Sequence, residues 1–161
     1  MGAGKTTLGK QLAQQLGCPF IDTDSYIEEK EGHSVSEIFA EGGEEHFRSL
    51  EEKYLEDILE NHVSGQPETL ENNRDCTLVI SLGGGMVTRK VCAELIDKFT
   101  YCIYLRTDIE TLLKRLRNDV GTRPMLAGAE GGDLRSTIET LYRQREPLYR
   151  ALARKIIDVR Q

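Results

Sequence analysis

The amino-acid sequence predicts an α/β fold of three layers, αβα, with a central parallel sheet covered by helices on both faces. Three observations carry this. Helical and strand-like patterns alternate along the chain. Two of the strand-like stretches, CTLVISL from Cys76 and YCIYLR from Tyr101, are nearly continuous apolar runs, as strands buried on both faces are. Glycines and acids stand where strands give way to helices, the end of an open parallel sheet that holds ligands.

Taken in order, TTLGKQLAQQLG sets Leu8, Leu12 and Leu16 at four-residue steps, a helix closed by Gly17. CPFIDT is a short strand, and DSYIEEKEG a helical turn or two ending at Gly32. Ser34 and Glu37 form a capping box ahead of IFAEGG. From Gly43 a long amphipathic helix keeps Phe47, Leu50, Tyr54, Leu55, Ile58 and Leu59 on one face. VSGQPETLENNRD has neither period and reads as a surface loop. CTLVISL, the helix VTRKVCAELIDKF and the strand YCIYLR follow, and Thr107 to Glu110 caps the helix IETLLKRLRN. DVGTRPMLAGAEGGD is glycine-rich and suits a mobile flap. LRSTIETLYRQREPLYRALAR is mostly helical, with a kink or junction expected at Pro147, and KIIDV is a last strand. One domain is expected over 1–161, with an inserted helical subdomain over 24–62 and a lid over 118–133.

Composition narrows the function classes. A chain of 161 residues, 39% hydrophobic and 30% charged, suits one soluble globular domain. Its 21 Lys plus Arg against 27 Asp plus Glu give a net charge of -6, which disfavours a duplex-binding protein but not a local phosphate pocket. Cys18, Cys76, Cys92 and Cys102 form no C-x-x-C pair, and His33, His46 and His62 lack ligand spacing. Free thiols in a reducing compartment are expected, hence the cytoplasm, with no membrane span and no nucleic acid.

Six motifs carry chemistry. Gly4-Lys5-Thr6 fits the end of the phosphate-loop pattern G-x-x-x-x-G-K-[ST], whose leading glycine would lie upstream of Met1. Inward N–H groups would cradle phosphate oxygens, Lys5 would reach the β- and γ-phosphates, and Thr6 would offer its hydroxyl to Mg²⁺. The bland alternative is a glycine-rich helix start with a surface lysine. At the end of a strand, Asp22 can hold a water of the metal shell and Asp24 can accept from an attacking hydroxyl, unless Asp22 or Thr23 merely caps the next helix. In GEEHFR, Arg48 either offers a planar guanidinium to a substrate carboxylate or makes a surface ion pair with Glu44 or Glu51. Gly83-Gly84-Gly85 lets backbone approach a ligand with no Cβ in the way. Arg123 in RPML can close with the flap on a transferring phosphoryl group, or sit idle in a loop. Arg145 in RQREPLY can meet Arg48 across a cleft, though spacing alone leaves this open.

In that order GAGKTT, DTD, GEEHFR, LGGG, RPML and RQREPLY resemble the shikimate kinase family over essentially the whole chain. The resemblance implies a P-loop fold like that of nucleoside monophosphate kinases, with a five-stranded parallel sheet. It implies transfer of the ATP γ-phosphoryl to the 3-hydroxyl of shikimate, on the way to aromatic amino acids, by a monomer that uses Mg²⁺. It implies that Gly2, Ala3, Gly4, Lys5, Thr6 and Thr7 hold the ATP phosphates, with Thr6 and Asp22 serving the metal. Asp24 would orient or deprotonate the hydroxyl, Arg48 and Arg145 would clamp the shikimate carboxylate, and Gly84 would touch shikimate, with Gly83 and Gly85 shaping that wall. Arg123 would close on the phosphates, Phe47 and Glu51 would brace the acceptor side, and Arg117 would lie near adenine.

The family also carries a strand and a leading glycine before MGAGKTT, and a closing helix after IIDVRQ. Their absence leads us to expect a shortened chain, with strand edges unpaired and weak or no activity. Within kinases, a gluconate-type enzyme is the rival, opposed by DTD with GEEHFR; a nucleoside monophosphate kinase lacks an evident base pocket here. Outside them, a non-catalytic kinase-like fragment is the rival, opposed by the intact Lys5, Asp24, Arg48, Arg123 and Arg145.

Overall fold

The computed structural model describes residues 2–62, 77–117, 126 and 132–159. Helices α1 (Lys5–Leu16), α2 (Thr23–Glu31), α3 (Val35–His62), α4 (Lys90–Phe99), α5 (Ile109–Leu116) and α6 (Gly132–Leu152) alternate with strands β1 (Phe20–Asp22), β2 (Val79–Ser81), β3 (Ile103–Arg106) and β4 (Lys155–Asp158). The strands pair in parallel, as the alternation predicts, Ile21 against Ile80 and Tyr104 against Ile156. They form two two-stranded sheets, β1–β2 and β3–β4, and among the described residues no ladder joins the two.

Local signals explain the elements. The Ser34 N–H donates to Glu37 Oε2 at 2.7 Å and the Glu37 N–H to Ser34 Oγ at 3.3 Å, the reciprocal box the sequence predicts. Asp108 caps α5 by accepting the Thr111 N–H at 2.8 Å. α3 is two helices meeting at Gly43, whose φ of 74° and ψ of -176° lie where a side chain would be strained. That break separates IFAEGG from the long amphipathic helix, whose predicted face is the buried one.

Three expectations change. α1 packs through Ala13 rather than a leucine stripe, and Leu8 is 39% exposed. α6 runs through Pro147 without ending, although the Arg143 carbonyl can receive no bond from it. The strands are less covered than their composition suggests: β2 and β3 are largely half-buried and β4 is exposed throughout. Narrow two-stranded sheets leave faces that neighbouring strands and helices would otherwise cover. The loop VSGQPETLENNRD, Cys76 and most of the flap lie outside the described residues.

Packing falls into three apolar clusters. Ile27, Ile38, Phe47, Leu50 and Tyr54 join α2 to both halves of α3. Leu55, Leu59, Met86, Val87, Cys92 and Ile96 join α3 to α4, with Tyr149 and Leu152 of α6 against them. Leu112, Leu113, Leu116, Leu126, Leu134 and Ile138 join α5 to α6. Burial pushes the Cys92 thiol up to about 12, so it packs as a small apolar group. Cys18 and Cys102 are also free thiols.

Candidate active site

β1 ends at Asp22, and α1 starts from the glycine loop before Lys5, so both deliver polar groups to one place. Thr6 Oγ1 donates to Asp22 Oδ2 at 2.8 Å. A hydroxyl and a carboxylate in contact are hard oxygen donors of the kind Mg²⁺ takes, and the pair fits that ion. Asp22 also caps α2, its Oδ1 accepting the Ser25 N–H at 3.4 Å, so capping and metal support are compatible in one side chain. Gly2 lies against Leu112 and Leu116 of α5, where a Cβ would come within 3.1 Å of Leu116. Arg115 reaches across to donate to the Gly2 carbonyl at 3.0 Å. Arg117 ends α5 at the surface, and Arg123 lies outside the described residues.

The second half of the site is buried and charged. Arg48, Glu51 and Arg145 are 5%, 1% and 6% exposed. Arg48 donates to Glu51 Oε2 at 2.5 Å and to Glu44 Oε1 at 2.9 Å. The expected alternatives, ion pair or binding group, are thus not exclusive: the pair exists but is buried, and it fixes the plane of the guanidinium. Burial pulls Arg48 toward its neutral form, and Glu51 and Glu44 reverse this, so the net shift is upward and the cation is secure. For Glu51, burial raises the pKa against the pull of Arg48, Asp24 raises it further, and Arg145 opposes; the net direction is up. Glu51 Oε1 is buried with no hydrogen-bond partner among the described residues. Arg89 anchors this helix from outside, bonding Glu52 at 2.6 Å and Glu45 at 2.9 Å.

The glycine run packs directly on these charges. A Cβ on Gly83 would sit 2.5 Å from Glu51 Oε1 and 3.0 Å from Asp24 Oδ1, and one on Gly85 would sit 2.3 Å from the Arg48 guanidinium. Only glycine lets the backbone approach this closely. Thr23 Oγ1 accepts the Gly83 N–H at 2.8 Å and donates to the Ser81 carbonyl at 3.3 Å, locking the β1 turn to the end of β2. Asp24, Arg48 and Glu51 therefore pack against Gly83 and Gly85, and the charge of Arg145 is felt at Glu51. Arg145 also borders an open depression lined by Tyr104, Thr107, Tyr142 and Tyr149 and by Ala3 of the phosphate loop.

Of the residues that sequence reasoning selected, Thr6 and Asp22 are in contact, and Asp24, Arg48, Gly83 and Gly85 pack together. Sequence reasoning had Thr23 only as a possible cap and Glu44 only as a possible ion-pair partner, and did not name Arg115. Thr23 is 2% exposed between two acids, Glu44 is the second partner of Arg48, and Arg115 props the phosphate loop. Thr23 had a signal, a hydroxyl at a strand end between carboxylates. The reach of Arg115 has none, since it depends on how α5 packs on the loop.

A shikimate kinase family profile matches residues 1–161. Shikimate kinase of Rhodococcus jostii is 39% identical over 152 residues, covering 94% of this chain and 79% of the relative. That of Parabacteroides distasonis is 39% identical over 149 residues, covering 92% and 78%. Among solved structures, shikimate kinase of Acinetobacter baumannii in complex with shikimate superposes with a TM-score of 0.84 at 32% identity, over 100% of this chain and 80% of that one. The Bacteroides thetaiotaomicron enzyme gives 0.81 at 36% identity, over 98% and 81%. These neighbours are αβα P-loop kinases, and the helix order, the parallel strand pairs and the phosphate loop agree with them. By sequence and by fold alike, the chain belongs to the shikimate kinase family of ATP-dependent kinases.

Proposed function

We propose that this protein transfers the γ-phosphoryl group of ATP to the 3-hydroxyl of shikimate. The observation that carries the reading is a pair of buried arginines acting on one buried carboxylate, Glu51, with Arg48 and Asp24 against the glycine wall and Arg145 bordering a depression that reaches the phosphate loop. Two desolvated cations beside a carboxylate suit an acceptor that carries both an anion and a hydroxyl. Arg48, held flat by Glu44 and Glu51, grips one side of the acceptor carboxylate, and Arg145 grips the other. Asp24 accepts a hydrogen bond from the reacting hydroxyl and aims its oxygen at the phosphorus. Gly84 forms the wall behind the ring.

On the nucleotide side, Gly2, Ala3, Gly4 and Thr7 cradle the phosphates, Lys5 balances charge on the transferring group, and Arg123 joins it from the lid over 118–133. Thr6 and Asp22 would hold Mg²⁺, which when bound neutralises phosphate charge. Phosphoryl transfer passes through a loose transition state, so alignment and charge balance are the protein's main tasks. We read the chain as a monomer of the cytoplasm that binds neither nucleic acid nor membrane. Its net charge of -6 and its free thiols support that reading, and no helix among the described residues is long and apolar enough to cross a membrane.

The test is ADP release with ATP and Mg²⁺, comparing shikimate with gluconate. Turnover that needs shikimate is expected; turnover on gluconate alone would overturn the acceptor assignment.

A further inference from the structure

The glycine wall poses a physical problem. Three successive glycines have the widest conformational freedom of any backbone, yet here they must present one fixed surface. The structure shows what fixes them. The Gly83 N–H is held by Thr23 Oγ1 at 2.8 Å. The Gly83 carbonyl accepts the Met86 N–H at 3.2 Å, which sets the peptide plane between Gly83 and Gly84. The Gly85 carbonyl accepts the Thr88 N–H at 2.9 Å and Thr88 Oγ1 at 2.7 Å. The remaining plane, between Gly84 and Gly85, is held from outside the loop, by the Tyr149 hydroxyl donating to the Gly84 carbonyl.

Tyr149 is well suited to that task. Its ring is wedged against the α3–α4 cluster and tilts at 36° on Tyr104 of β3, centroids 5.3 Å apart, so the hydroxyl has little freedom. Burial raises its pKa, with Arg145 opposing, so it remains a phenol able to donate. It also lies one helical turn after Arg145 on α6. A single side chain thus connects the helix carrying one arginine to the wall that Asp24, Glu51 and Arg48 pack on.

We propose that Tyr149 is a positioning residue for the acceptor: its hydroxyl holds the Gly84 carbonyl, and so keeps the glycine wall in register with Arg145. The inference rests on the functional reading above. It concerns no contact between Tyr149 and the acceptor. The tyrosine acts through Gly84, so its loss is felt at the acceptor and not at the nucleotide.

The experiment is steady-state kinetics of Tyr149→Phe against wild type, varying shikimate and ATP separately, with thermal melting in parallel. The ring survives, and the hydroxyl's bond to the Gly84 carbonyl is lost together with its polar interaction with Arg145. KM for shikimate is expected to rise about fivefold while KM for ATP moves less than about twofold and the melting temperature changes little. Leu152→Ala is the control: it thins the same apolar cluster without touching Gly84. It should lower the melting temperature and leave the ratio of the two KM values unchanged. An unchanged shikimate KM in Tyr149→Phe, or equal rises in both KM values, would overturn the inference. So would a shifted ratio in Leu152→Ala, because general loosening would then suffice. Wild type inactive on shikimate would instead strike the functional reading, and the two failures are distinct.

Discussion

Lys5, Thr6 and Thr7 stand half-buried or exposed on the first turn of α1, whereas Arg48, Glu51 and Arg145 are between 1% and 6% exposed. The phosphate side offers backbone N–H groups and solvent-facing side chains. The acceptor side is a desolvated ion network spanning α2, α3, the glycine run and α6. On the proposed function, the difference follows from what each half would recognise. A polyphosphate carries much charge, and a loop of amides with a helix N-terminus binds it without burying any protein charge. A small hydroxy acid carries one charge and several hydroxyls, and it is told from its relatives only by groups whose water has been removed. The acceptor half must hold its charges in place before the ligand arrives, and Glu44, Glu51, Thr23 and Tyr149 hold its arginine and its wall.

The largest expected effect comes from breaking that network. Arg48→Ala leaves Glu51 buried without its main cation, which typically costs about 3–5 kcal/mol of stability. Among molecules that fold, KM for shikimate should rise about 10–100-fold, the worth of a charged hydrogen-bonding group, with KM for ATP nearly unchanged. Equal rises in both KM values would erase the distinction between the halves. Lys5→Ala is the complementary break. Lys5 is only half-buried, so the melting temperature should hold while kcat falls about 10²–10³-fold, as when one charge-stabilising donor is removed. A Lys5→Ala variant that melts early would mean the phosphate side is structural too.

The two halves were also unequally legible in the sequence. GKT before an amphipathic helix announces a phosphate loop because its function lies in local backbone geometry, which spacing encodes. Arg48 was legible as a choice between ion pair and ligand. The ion pair is present, and it is buried on the Glu51 side, a tertiary fact that helical spacing does not carry. The GGG run was read as a surface for close backbone approach, and Gly83 and Gly85 do approach charged side chains closely. The run's fixing by Thr23 and Tyr149 was not legible, since those contacts bridge 60 and 65 positions of sequence. The strands were read correctly as parallel but too deeply buried, because apolar composition reports the cover a strand would accept and not the cover it receives. Pro147 was read as a junction on local grounds, yet the helix continues through it, packed on α5 before it and on the α3–α4 cluster after it.

The smallest effect tests whether burial or pairing governs the acceptor half. Glu51 sits between Arg48, which favours its charged form, and burial with Asp24, which disfavour it; the net shift of its pKa is upward. The folded protein then binds the Glu51 proton more tightly than the unfolded chain does. By linkage, the stability this contributes is fully present below the unfolded carboxylate value of about 4.3 and is lost as pH rises through the folded pKa. Glu51→Gln removes the titration while keeping the shape. The melting temperature of wild type minus that of the variant should therefore shrink as pH rises above about 4.3, read by calorimetry in matched buffers. A difference that grows with pH would mean that Arg48 holds Glu51 as a carboxylate throughout. In that case the unpartnered Oε1 against Gly83 would be a charge kept in reserve for a hydroxyl of the bound acceptor, and the acceptor half would discriminate by a buried anion as well as by its two cations.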